Sequence, residues 1–269
     1  MRDYLDGKNL YGDDFSLEKI NLWFNEESEG YANIENTDKL VNIYAYHELN
    51  KEHGFKKIII SESSKALGLG SAWGYEFEPI ISKLSSLTII EPSDKLVSSE
   101  IGNITPDYIK PNVDGSLKFS DSEFDVITCF GTLHHIPNVT YVLSELIRVL
   151  RPGGYLLVRE PIVSMGDWNK KRIGLTKNER GIPVAYFENI FKNHSVNIIS
   201  RNYCFTGTSY ISRIFGEFFT KPIFIYKLYI IMDKHLSRLL SWNVKYHSSN
   251  KIKKIAPSSI FYVLQKKEL

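Results

Sequence analysis

Short apolar runs alternate with stretches of helical period through the middle of the chain. Residues 64–69, 87–90, 108–110, 124–130 and 155–158 read as strands, and 196–205 and 259–264 as two more. Most of these runs are nearly continuous in apolar character, as expected of strands covered on both faces. Between them, 74–84, 139–150 and 184–191 carry the apolar spacing of amphipathic helices, and Ser93 opens a further helix toward Glu100. Upstream, Ser16 followed by Leu17, Ile20 and Phe24 reads as a capped helix, 29–32 as a turn, and 37–54 as a helix that stops at Gly54. Strands separated by helices predict an α/β architecture, a doubly wound parallel sheet with right-handed crossovers.

Ligands of such sheets bind beyond the carboxyl ends of the strands, where the strand order reverses. The chain concentrates its candidate chemistry there. Gly68-x-Gly70-x-x-x-Gly74 follows the first strand, with Ser71 inside the turn. Glycine admits positive φ and close approach of a ligand, and a helix starting at 74 would add free N–H groups. On its own the pattern fits a bare strand-to-helix turn. The next strand changes the balance, because it ends in Glu91-Pro92, 21 residues after Gly70. An acid at that spacing can accept both hydroxyls of a ribose, so a nucleoside is the expected ligand. Phe130, Gly131, His134 and His135 follow the fourth strand, and Arg159-Glu160 the fifth.

Composition narrows the class. The chain has 269 residues, 43% hydrophobic, with a net charge of +2, which suits one large domain with embellishments and gives no sign of nucleic-acid binding. Cys129 and Cys204 lie in apolar runs and read as reduced packing residues. The first residues lack a signal-peptide core, and the most apolar window, 222–232, is interrupted by Lys227 and too short to span a bilayer. A cytoplasmic protein is the expectation. No cluster shows metal-ligand spacing, so none is expected to bind a metal.

Three segments together resemble the class I S-adenosylmethionine-dependent methyltransferases, in the branch called type 11: residues 66–74, residues 89–93, and the set formed by 117–127, Leu133-His134-His135-Ile136 and Leu150-Arg151-Pro152-Gly153-Gly154. The resemblance implies a Rossmann-like seven-stranded sheet with an antiparallel last strand. It places S-adenosylmethionine on Gly68, Gly70, Ser71, Gly74, Glu91, Pro92, Phe130 and Gly131. The family's acid two residues before the first glycine is Ala66 here. Its acid near the adenine would fall at Val113, so Asp114, one residue later, is assigned in its place. Around this core, 1–54 reads as an N-terminal helical strap or lid, 55–205 with 251–269 as the cofactor-binding core, and 206–250 as an inserted helical cap that binds the acceptor.

Methyl transfer from a sulfonium needs alignment in a dry pocket, and a hydroxyl acceptor also needs a base. A free imidazole titrates near pH 6.5, which suits His134 or His135; the pair can equally serve only to shape its loop. Glu160 is a further candidate base, or a salt-bridge partner of Arg159. A small-molecule acceptor is expected, methylated at oxygen, with Tyr11, Tyr31, Arg159, Trp168 and Arg180 as contacts. The basic loop 170–180 suits an anionic acceptor or plain solvent. The aromatic and basic 206–250 segment is a pocket cap or, as the weaker alternative, a membrane-surface element. A homodimer stays open. The competing readings are an NAD-linked oxidoreductase, which shares the glycines and the acid, and an inactive methyltransferase-like binding protein.

Overall fold

The computed structural model describes residues 2–35, 44–166, 172, 175–206, 222–248 and 255–268, the side chains of Arg2 and 28–35 excepted. Seven strands form one sheet: β1 (Ser64–Leu69), β2 (Leu84–Ile90), β3 (Asp107–Ile109), β4 (Phe124–Phe130), β5 (Leu150–Pro161), β6 (Val196–Cys204) and β7 (Ser259–Lys266). Their order is β3-β2-β1-β4-β5-β7-β6, and only β7 runs antiparallel to its neighbours. The order reverses between β1 and β4, so the crevice beyond Leu69 and Phe130 is the predicted ligand position.

The helices are α1 (Arg2–Leu5), α2 (Leu17–Glu35), α3 (His47–His53), α4 (Val139–Val149), α5 (Val184–Asn193) and α6 (Lys227–Leu239). α4 and α5 cover one face of the sheet through Val142, Leu146, Phe187 and Phe191. On the other face, Leu49 of α3 and Ile230 of α6 join Phe77, Leu157 and Phe261. β1 and β4 are buried on both faces, which explains their unbroken apolar sequence.

The structure departs from the sequence reading at several places, each with a physical cause. The helix expected over 74–84 is two short 3-10 turns, Tyr75–Phe77 and Ile81–Lys83. Pro79 lies between them; it has no N–H to donate, so a continuous helix would lose a hydrogen bond there and crowd the carbonyl four residues back. No helix dipole therefore points at the glycine turn. The expected helix after Ser93 is absent, and the Ser93 hydroxyl instead accepts from the Lys95 N–H, closing a turn. Gly30 sits inside α2 rather than in a turn, since an isolated glycine weakens a helix by about 1 kcal/mol without ending it. The Arg151-Pro152-Gly153-Gly154 turn is a bulge inside β5: β4 advances from Phe124 to Val126 while its partner advances from Leu150 to Tyr155. The helix expected over 37–54 is described only from His47, and most of the 206–250 segment's first half lies outside the described residues.

Gly74 shows why the glycine pattern exists here. Its φ is +72°, and a Cβ would lie 2.3 Å from Ile101 Cδ1 and 2.7 Å from Ile89 Cδ1. Gly131 has a similar φ of +73°, but its Cβ would meet only His134 Cε1, at 3.8 Å. Gly131→Ala is expected to cost about 1 kcal/mol from conformation alone, and Gly74→Ala a further 1–3 kcal/mol from overpacking. Urea denaturation of the two variants measures the difference; equal losses would show that the contacts with Ile101 and Ile89 are immaterial.

Candidate active site

A cavity of about 210 Å³ opens at the switch point between β1 and β4. Leu69, Gly70 and Ala72 form one wall, Glu91 and Pro92 a second, Val113 with Gly115, Ser116 and Leu117 a third, and Gly131 and Thr132 the floor. Glu91 is buried and fixed by backbone: Oε2 accepts from Ala72 N at 3.1 Å and Oε1 from Ser93 N at 3.0 Å. A carboxylate oxygen carries two lone pairs, so each can accept a second donor such as a ribose hydroxyl. The remaining wall comes from the N-terminal segment, with Trp23, Phe24 and Glu27 of α2 facing His135, Ile136 and Pro137.

The loop after β4 carries both histidines in a 3-10 turn, Leu133–His135. Two buried charges hold it from opposite sides. Glu160 Oε1 accepts from the N–H groups of Thr132 and Leu133, at 2.7 and 2.8 Å. Arg180 is fully buried, and all its donors go to backbone carbonyls. Nη1 reaches Leu133 and His134, Nη2 reaches Ile136 and Pro137, and Nε reaches Tyr11, at 2.8–3.1 Å. Burial pushes the Arg180 pKa down to about 10, so it stays charged at neutral pH. Its guanidinium also lies 5.1 Å over the Trp23 ring.

The two histidines differ in setting. His134 bridges Glu160, 2.8 Å from Nδ1, and Glu179, 3.6 Å from Nε2. His135 places Nδ1 2.8 Å from Glu27 Oε2, and Trp23 Nε1 donates to its carbonyl at 2.7 Å. Burial raises the Glu27 carboxyl, but hydrogen bonds from His135, Thr176 and the Asn178 backbone outweigh it and hold the pKa below the ordinary range. Among the described residues, His134, His135 and Glu179 also offer one ligand atom each within 4.8 Å of one another. Ligands of a tetrahedral zinc sit about 3.4 Å apart, so the three would have to close around an ion.

Several expected contacts lie elsewhere. Gly68 and Gly74 pack against protein: a Cβ on Gly68 would meet Ser71 Oγ at 2.3 Å, and neither glycine lines the cavity. Ser71 turns inward and donates to Glu76. Asp114 is exposed and accepts from the N–H and hydroxyl of Ser116, which forms the turn that leaves Val113, not Asp114, on the cavity wall. Side chains alternate along β5, so Arg159 points away from Glu160. It donates to Asn50 Oδ1 at 3.1 Å and sits 4.2 Å over the Tyr46 ring and 5.3 Å from that of Phe130. Tyr11 packs between Tyr4, Phe15 and Trp23. Arg180 has its donors spent on carbonyls, which gives it a structural place instead of an acceptor contact. Trp168 and the Tyr31 side chain lie outside the described residues.

Residues that the sequence did not flag complete the site. Glu27 is 108 positions from its partner His135, and no local pattern marks it. Glu76 lies behind the glycine turn: it is buried, hydrogen-bonded by Ser71 and Thr128, and burial raises its pKa, but it does not line the cavity and so does not replace the acid that Ala66 lacks.

The comparisons with known proteins bear on the family and the fold. Residues 67–158 match the methyltransferase-domain family. These residues form a class I S-adenosylmethionine-dependent methyltransferase domain of the type 11 branch, and S-adenosylmethionine is its cofactor. The match decides against the nicotinamide-linked alternative. A ubiquinone/menaquinone biosynthesis C-methyltransferase from Francisella philomiragia is 30% identical over 137 residues, 45% of this chain and 54% of that protein. A demethylmenaquinone methyltransferase from Staphylococcus carnosus is 26% identical over 151 residues, 53% and 60% of the two chains. The chain thus spans little more than half the length of these curated relatives. A solved S-adenosylmethionine-dependent methyltransferase from Mesorhizobium loti shares the fold, with a TM-score of 0.51, 12% identity, and 78% and 94% of the chains covered.

Arg180→Met removes five backbone partners at once from a buried loop. It is expected to cost about 3–5 kcal/mol in urea denaturation. Arg180→Lys keeps the charge but lacks the planar fork, and should recover only part of that loss. Full recovery by lysine would mean that charge, not the fork of hydrogen bonds, holds the loop.

Proposed function

We propose that the chain methylates a small, largely apolar acceptor that carries an ionisable hydroxyl, with His135 as general base and Glu27 as its orienting carboxylate. The observation that carries this reading is the His135–Glu27 pair in the wall of the same cavity that Glu91 lines. S-adenosylmethionine supplies a methyl group on a sulfonium, already an excellent leaving group. The protein's task is therefore to align, dehydrate and deprotonate.

In this reading Glu91 would accept the ribose hydroxyls, Val113, Ser116 and Leu117 would hold the adenine, and Gly131 and Thr132 would line the space for the rest of the cofactor. Trp23, Phe24, Ile136 and Pro137 exclude water and leave an apolar surface for the acceptor. Glu27 accepts the Nδ1–H of His135, which fixes the ring tautomer so that Nε2 is the basic atom and takes the proton of the acceptor hydroxyl. His134, held between two carboxylates, serves the loop rather than the proton transfer.

A second reading follows from the relatives' printed names, which carry C-methyl transfer. Deprotonating a phenol or enol makes a neighbouring carbon nucleophilic as well as the oxygen. Proton NMR of the product separates a methoxy group from a C-methyl group.

Glu91→Ala is expected to weaken S-adenosylhomocysteine binding at least about tenfold by calorimetry. His135→Ala should leave that affinity unchanged but lower turnover about 10²–10⁴-fold in an acceptor screen with labelled cofactor. Turnover that survives His135→Ala would remove the base from its assigned place. Cofactor binding with no turnover on any hydroxylated acceptor would favour the inactive binding protein.

A further inference from the structure

α6 turns one face to the core and an apolar face to solvent. Its buried residues are Ile230, Asp233 and Ser237. Asp233 accepts from the N–H groups of Phe205 and Thr206, at 2.8 and 3.0 Å, and Lys234 pairs with Glu52 of α3 at 3.1 Å. These contacts fix the helix's rotation. With 100° per residue, Leu228, Met232 and Leu239 fall within about 40° of one another and about 150° from the buried face. They are 70%, 61% and 70% exposed, and Trp242, just beyond the helix, is 79% exposed. An ordinary surface helix places charge at this pole. Here the pole carries three large apolar side chains and the exposed His235, and the exposed cations Lys227 and Arg238 lie to one side of it.

Charge is segregated in the same way along the chain. Residues 207–254 contain nine Lys or Arg and two Asp or Glu, while the rest of the chain contains 24 and 29. The apolar pole thus belongs to a strongly cationic segment of a protein whose remaining residues carry a net negative charge. A second copy docking face to face would bring like charges together, whereas an anionic bilayer would meet both features. Leucine, methionine and an interfacial tryptophan enter the acyl boundary, and lysine and arginine contact the headgroups.

We infer that the outward face of α6, continued by Trp242, is a docking surface for anionic membrane. No helix among the described residues is long and apolar enough to cross one, so the contact is interfacial. The inference concerns where the protein sits and does not depend on the identity of the acceptor.

The test is co-sedimentation of the full chain with vesicles of mixed phosphatidylcholine and phosphatidylglycerol, and with vesicles of phosphatidylcholine alone. Binding to the mixed vesicles is expected, weakening as salt rises, with a blue shift of tryptophan emission that Trp242→Ala removes. The double variant Met232→Glu/Leu239→Glu should lose at least about tenfold in vesicle affinity. Because both positions are exposed, its thermal midpoint and S-adenosylhomocysteine affinity should match the parent's, which separates lost docking from lost folding. Equal vesicle binding by parent and variant would overturn the inference, as would no binding to mixed vesicles. A parent dimer in sedimentation velocity that the double variant breaks, without vesicle binding, would assign the face to a second copy instead.

Discussion

The site rests on a backbone loop held between two buried charges of opposite sign. Between Thr132 and Pro137, the carbonyls of Leu133, His134, Ile136 and Pro137 accept from the Arg180 guanidinium, and the N–H groups of Thr132 and Leu133 donate to the Glu160 carboxylate. Each charge has lost its water, and the loop's peptide dipoles replace it. Neither ion needs the other as a direct partner, because aligned amides solvate both. Such an arrangement is worth little unless complete: removing one charge leaves several amides unsatisfied and the other ion less well solvated. It also explains why two adjacent histidines can be held apart in role. The 3-10 turn is fixed from both sides, and each ring is then directed to its own carboxylate.

The same constraint joins the N-terminus to the sheet. The Tyr11 carbonyl takes one Arg180 donor, and Trp23 both covers the guanidinium and donates to His135. Asp13 accepts from the N–H and hydroxyl of Thr140, at 2.7 Å each, capping the first turn of α4. α2 is therefore positioned by polar contacts to the loop after β4, and the segment before it by Asp13 on α4, in addition to the burial of Ile20 and Trp23. A segment whose position alone suggested a packing strap supplies three residues of the cavity wall.

The sheet was legible in the sequence where burial is two-sided. β1 and β4 match their expected limits to the residue, because an apolar run flanked by polar ends leaves few alternatives. The Glu91 position followed from spacing for a similar reason: strand ends are fixed by the sheet. What the sequence hid is of two kinds. Pro79 was present in the expected helix, but its effect depends on the chain having two tight turns available in its place. The pairings Glu27–His135 and Arg180–Tyr11 join positions more than a hundred residues apart, and no local period encodes them. Asp114 misled for a local reason, since an aspartate two residues before Ser116 closes a turn on its own backbone as readily as it meets a ligand.

β5 shows how one strand end serves two regions. Arg159 and Glu160 are adjacent, so the pleat sends them to opposite faces of the sheet. Glu160 organises the loop after β4 on the α4 side. Arg159, between Tyr46 and Phe130, ties the α3 strap to the other face through Asn50, which in turn holds the Tyr44 hydroxyl at 2.8 Å. A salt bridge between the two would have needed both on one face, and the strand geometry forbids it. Arg159 finds its partners in Asn50 of α3 and the Tyr46 ring just before it, whereas Glu160 binds the Thr132 and Leu133 N–H groups and His134. α3 is thereby fastened directly to one side of the strand end, and α2 to the other side through the loop, where Trp23 and Glu27 bind His135.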